Sequence, residues 1–132
     1  MPTDTPPFSN GLLWAGWLIT GLVVLFLAVD GAMKVIEARP AVEASGQLGV
    51  PTHTLVGIGV VLLACTAIYA VPPTAVLGAI LLTGYLGGAT AIHVRAGSGA
   101  FPVVFSAGFG LLVWGGLVLR EPRLLWTILL RQ

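Results

Sequence analysis

Four uncharged runs divide the chain, Leu12 to Val29, Thr54 to Val71, Thr74 to Ile92 and Phe101 to Leu119, each of 18 or 19 residues. At about 1.5 Å per residue, a helix of that length crosses a hydrocarbon core of roughly 30 Å. None of the runs alternates with the period of two that a barrel strand needs. In lipid the backbone must satisfy its own hydrogen bonds, so the pattern predicts helices, over residues of about 12–36, 52–71, 74–95 and 101–120. The expected fold is an all-α integral membrane protein: a four-transmembrane-helix antiparallel bundle with short interfacial segments.

The breaks between the runs carry turn chemistry. Residues 1–11, with three prolines, Thr, Ser and Asn, read as a flexible tail in which Ser9 or Asn10 would cap the first helix. This tail lacks Lys and Arg and the apolar run after it is too long for a signal h-region, so the first segment reads as a retained helix. Pro40 ends it. The longest connection, Glu37 to Pro51, places Val42 and Leu48 among polar residues, which predicts a short interfacial helix starting at Pro40, closing on glycine and covering that end of the bundle. Pro72 and Pro73 make a tight joint, with Thr74 as expected N-cap of the third span. Pro102 suits the first turn of the fourth. Residues 123–132 are too short to span, and Arg123, Trp126 and Arg131 suit an interfacial segment.

Composition supports lipid as the solvent: of 132 residues, 57% are hydrophobic and 8% charged, outside the usual range of soluble domains. A net charge of +1 without a basic cluster excludes a nucleic-acid footprint. Cys65 is the one cysteine, which excludes dithiol redox chemistry within a single chain. Lys34, Arg39 and Arg95 on one side of the membrane balance Arg120, Arg123 and Arg131 on the other, so the positive-inside rule gives no orientation. Discounting Lys34 as a site residue would tip the balance towards both termini inside.

The scarce ionisable groups gather at one end. The first and third spans run in the same direction, so Asp30, Lys34, His93 and Arg95 end on one side, and His53 joins them at the start of the second span. Asp30, Lys34 and Glu37 share a helical face at i, i+4 and i+7. One reading is a self-neutralising pair at a helix end, with Lys34 snorkelling to the headgroups. The other is a site: Asp30 facing the interior and paired with His93 as proton carriers, Lys34, Arg95 and His53 holding a ligand, and Tyr85 lining the floor with Thr83 and Thr90. Neither haem nor a metal is expected, because His53 and His93 lie at the membrane edge and Cys65 at another level. Gly84-x-x-x-Gly88 has small-xxx-small spacing and suits either close packing within the bundle or a homo-oligomer face.

The segments Gly31-Ala-Met-Lys34, Leu48-Gly-Val-Pro51, Tyr69-Ala-Val-Pro-Pro-Thr74, Trp114-Gly-Gly-Leu-Val-Leu-Arg120 and, most specific, the stretch from Leu77 to His93-Val-Arg95 resemble the DoxX-like family of small four-helix membrane proteins. The likeness covers roughly residues 12–122. The resemblance implies a multi-pass protein of the bacterial cytoplasmic membrane. Its wider superfamily includes subunits linked to membrane sulfur and quinone redox complexes, and members that support oxidative-stress defence. The family pattern stresses positions equivalent to Lys34, Tyr85, His93 and Arg95 but implies no fixed catalytic set.

Three functions follow as expectations. The first is an accessory or ligand-binding subunit that holds a quinone or lipid-like ligand at the polar end and partners a membrane or soluble oxidoreductase. The second is a small membrane enzyme doing acid–base chemistry on an apolar substrate through Asp30 and His93. A proton-coupled transporter comes third, because small exporters of this size place an acidic residue mid-helix, where residues 12–29 carry no charge.

Overall fold

The computed structural model describes residues 10–121, 123, 124 and 127. The tail over residues 1–9, with Ser9, and most of the expected interfacial segment, with Trp126 and Arg131, lie outside the described residues. Among those described, the elements are α1 (Asn10–Val35), α2 (Arg39–Gln47), α3 (Thr52–Ala70), a single 3₁₀ turn (Pro72–Thr74), α4 (Ala75–Ala96) and α5 (Ala100–Arg120), with no strand. The four long helices have 26, 19, 22 and 21 residues. Each is therefore roughly 28 Å or longer, enough to cross a hydrocarbon core. Their outer surface is apolar, with Trp14, Leu18, Leu22, Leu25, Val104 and Leu111 all more than 60% exposed. The chain is a multi-pass membrane protein.

The helices form a ring in which α1 packs on α3 and α5, and α4 packs on α3 and α5. All neighbours are antiparallel, so α1 and α4 run in parallel across the diagonal. Without a hydrophobic force between helices in lipid, close backbone contact holds such a ring together. Gly31 and Gly59 supply it between α1 and α3: a Cβ on Gly59 would lie 2.8 Å from the Gly31 carbonyl oxygen. Between α3 and α4 a Cβ on Gly78 would lie 2.3 Å from the Tyr69 backbone. Gly84 and Gly88 meet nothing within 4 Å, so their spacing makes no close packing inside the bundle.

The turns follow the expected chemistry with two exceptions. Pro40 sits in the first turn of α2. Gly49 (φ 75°) closes that helix, with the Val50 amide donating to the Ser45 carbonyl at 2.9 Å. Gly97 (φ 65°) ends α4 in the same manner. Thr74 occupies the N-cap position of α4 but does not cap it, because its hydroxyl donates backwards to the carbonyls of Ile68 (2.8 Å) and Val71 (3.3 Å). Glu37 does not continue the Asp30 and Lys34 face either: α1 ends at Val35, and Glu37 turns out at φ 53°, where the Ala38 amide reaches the Met33 carbonyl at 2.8 Å.

The packed core occupies the half of the bundle towards the Pro72-Pro73 turn. Val23, Leu62, Tyr69, Ala79, Leu82, Val113 and Leu117 are all at most 1% exposed there. The Tyr69 hydroxyl donates to the Val113 carbonyl at 2.7 Å. Arg120 is also buried at that end, its Nη2 donating to the Tyr69 carbonyl at 2.9 Å and its guanidinium between the Trp17 and Tyr69 rings, 5.1 and 4.9 Å from their centroids. A cation on the last carbonyls of α3 is well placed against the helix dipole. Arg120 is thus a structural clamp and leaves the tally of interfacial charges.

Candidate functional site

The opposite half of the bundle is hollow. A cavity of about 520 Å³ lies there, walled by α1, α3, α4 and α5 and roofed by Ala41, Ala44 and Ser45 of α2 with Leu48 just after it. The interfacial helix therefore covers the end where the ionisable groups gather. Phe26, Leu27, Leu55, Leu86 and Phe109 make the lining mostly apolar.

Parallel α1 and α4 bring their C-terminal ends to the same level, and four of the six candidate residues line the cavity: Asp30 and Lys34 from α1, Tyr85 and His93 from α4. Lys34 donates to the Asp30 carboxylate one turn away. The lysine side chain is only 16% exposed and the aspartate 38%, so Lys34 lies along the cavity wall and does not reach out to the headgroups. The pair neutralises itself, which lets two charges sit beside an apolar space. His93 completes the polar end: its Nδ1 is buried and has no hydrogen-bond partner among the described residues. Such a ring nitrogen can donate to, or accept from, a molecule in the cavity.

Arg95 and His53 are exposed and lie outside the lining. Arg95 follows His93 by two residues, a rotation of about 200° around the helix, so only one of them can face inward. Thr83 and Thr90 do not line the floor. Both hydroxyls donate to their own helix, to Ala79 and Leu86 carbonyls at 2.7 and 2.8 Å, and Thr83 also accepts from Trp114 Nε1 at 2.7 Å. Cys65 is buried in the core cluster and is not part of the lining.

The lining adds residues that sequence reasoning passed over. Gly84 and Gly88 leave their side of α4 open to the cavity, and Ser45 and Ser106 add hydroxyls at the wall. Phe101, Phe105 and Phe109 recur at i, i+4 and i+8 on α5 and form a chain of ring contacts, with Phe26 of α1 against Phe105 (5.6 Å between centroids) and Phe109 (4.7 Å). That regular aromatic spacing was the available signal. Chemically, the site offers one end that hydrogen-bonds, where Asp30 and Lys34 neutralise each other, and an apolar remainder.

Residues 18–116 match the family model described as the DoxX-like family. The matched stretch runs through all four spanning helices and every candidate residue. No curated protein matches the chain, and no solved structure does.

Proposed function

The chain belongs to the DoxX-like family, and on that footing we propose that it binds a quinone-like amphiphile in the hollow end of the bundle as an accessory subunit of a membrane redox process. The observation that carries this reading is the cavity of about 520 Å³, apolar along its length and polar at one end. Its size falls within the roughly 300–1,000 Å³ common for small-molecule sites. A ring carbonyl would accept from Lys34 or His93, and a reduced ring hydroxyl would donate to Asp30. Tyr85 would border the ring.

With a single cysteine per chain, no dithiol pair is at hand within it to carry electrons. A partner oxidoreductase, membrane-bound or soluble, would do so while this subunit presents the ligand. The bacterial cytoplasmic membrane, where such complexes work, is the location this reading assigns.

The test is a titration of the protein in nanodiscs with a benzoquinone carrying a ten-carbon chain. Saturable binding that weakens about tenfold or more in Lys34→Met and in His93→Phe supports the reading. Uptake that only tracks partition into the bilayer, equal in wild type and variants, overturns it. A second reading is favoured by one observation, that Asp30 and His93 border the same cavity. In it they exchange protons with an apolar substrate. An activity that survives both Asp30→Asn and His93→Ala would remove that reading and leave the binding one standing.

A further inference from the structure

The cavity is too short for the chain of a long amphiphile. From Phe26 to Lys34 on α1 and from Gly84 to His93 on α4 it spans eight and nine helical steps, about 12–14 Å of helix, less than one leaflet of hydrocarbon. A chain longer than that must leave. Along the outer seam of α1 and α5 lies a groove of about 490 Å³ whose lining, including Leu22, Leu25, Val29 and Leu112, is entirely apolar. Phe26 and Phe109 line both the cavity and this groove. Their rings, 4.7 Å apart, are thus the wall between the interior and the bilayer.

The two ends of the α1 and α5 seam are built differently. Near the packed end the backbones touch: a Cβ on Gly16 would lie 2.6 Å from the Arg120 amide nitrogen, and one on Gly116 would lie 2.9 Å from Thr20 Oγ1. At the cavity level the seam is closed by Phe26, Phe105 and Phe109 side chains. Phe26 and Phe105 are 46% and 42% exposed. Rings of this kind change rotamer without movement of the helices. A backbone seam cannot open in that way.

We propose that Phe26 and Phe109, with Phe105 beside them, form a lateral portal through which the apolar chain of a single-chain amphiphile passes between the cavity and the bilayer, lying in the α1 and α5 groove while its head stays at the polar end. The inference rests on the cavity's role in binding proposed above. The wall that opens is one ring pair wide, so it takes one chain. The head carries no net charge, because Asp30 and Lys34 already neutralise each other and no other Asp, Glu, Lys or Arg among the described residues lines the cavity to offset a buried ion.

The experiment is photolabelling in nanodiscs with two probes that carry a diazirine at the same distance along the chain, one a long-chain benzoquinone and the other a long-chain alcohol. Each is run with and without a hundredfold excess of its unlabelled parent, so that only competed label counts. The expected result is competed quinone label on α1 and α5 between residues 22 and 29 and at Leu112. The same competed groove label from the alcohol alone would retire the quinone head and keep the portal. Competed quinone label that falls on α3 and α4 keeps the binding reading and overturns the portal. Absence of competed label from both probes overturns it as well.

Discussion

Gly59→Ala separates contact at one atom from general helix propensity. A methyl there would lie 2.8 Å from the Gly31 carbonyl oxygen, 2.8 Å from Lys34 Cβ and 2.9 Å from the Val35 amide nitrogen. Two of these three atoms are backbone, which cannot swing aside. To regain a separation of 3.4 Å from the Gly31 carbonyl oxygen, α1 must move off α3 by about 0.6 Å at the level of the Asp30 and Lys34 pair. Overpacking of this kind costs about 1–3 kcal/mol, whereas alanine in place of a helical glycine returns at most about 1 kcal/mol. The net expectation is a loss of about 1–2 kcal/mol. Gly57→Ala on the same helix is the control, since a Cβ there meets nothing within 4 Å. Its expected effect is zero to about 1 kcal/mol of stabilisation. The assay is reversible unfolding of both variants in mixed micelles by titration with a denaturing detergent, followed by helical circular dichroism. A Gly59→Ala protein as stable as the Gly57→Ala control would refute the close approach of α1 and α3 and, with it, the placement of Lys34 in the cavity wall.

Tyr69→Phe removes the buried hydroxyl that donates to the Val113 carbonyl at 2.7 Å, with an expected loss of about 1 kcal/mol in the same unfolding assay. Arg120→Lys gives up the planar contact with Trp17 and Tyr69 and displaces the bond to the Tyr69 carbonyl; a loss of about 1–2 kcal/mol is expected, and none would argue that the guanidinium is a passive tenant. Glu37→Gly relieves a non-glycine residue at φ 53° and should raise the unfolding midpoint by an amount equivalent to about 0.5–1 kcal/mol. Gly88→Leu places a side chain where a Cβ meets nothing within 4 Å, in the cavity lining; saturable quinone binding should fall about tenfold or more while the unfolding midpoint holds. A Gly88→Leu protein with full affinity would move the ligand elsewhere.

The spans were legible because lipid leaves the backbone so few options that four uncharged runs suffice to mark four helices. Helix α2 was legible from Pro40 and Gly49, residues whose backbone preferences act locally. The meeting of Asp30, Lys34, Tyr85 and His93 followed from direction alone, since α1 and α4 end at the same level. Helix rotation was not legible. In a soluble bundle an apolar stripe shows which face turns in, but here the lipid-facing Leu22 and the buried Val23 are equally apolar. That is why Arg95 and His53 were grouped with a cavity they do not line, and why Thr83 and Thr90 were given its floor. The burial of Arg120, which in the sequence is only one of the charges on its side of the membrane, was hidden for a related reason: it involves Gly16 and Trp17, more than 100 positions earlier in the chain.

The uneven packing of the bundle ties these features together. Helices in lipid are held by van der Waals contact and hydrogen bonds, so a hollow half forfeits much of what would hold it. The other half compensates with the fully buried Tyr69, Leu62, Leu82, Leu117 and Val113 and with the Tyr69, Val113 and Arg120 bonds that join α3 to α5. At the hollow end the roof of α2, the Gly31 and Gly59 contact and the Phe26, Phe105 and Phe109 rings hold the helices. Stability and cavity are therefore placed at opposite ends of one ring. A change in the packed half should shift unfolding and leave ligand affinity near its original value, and a change that only fills the cavity should do the reverse. Gly59 is the exception, because it packs α1 on α3 beside Lys34, and Gly59→Ala should move both.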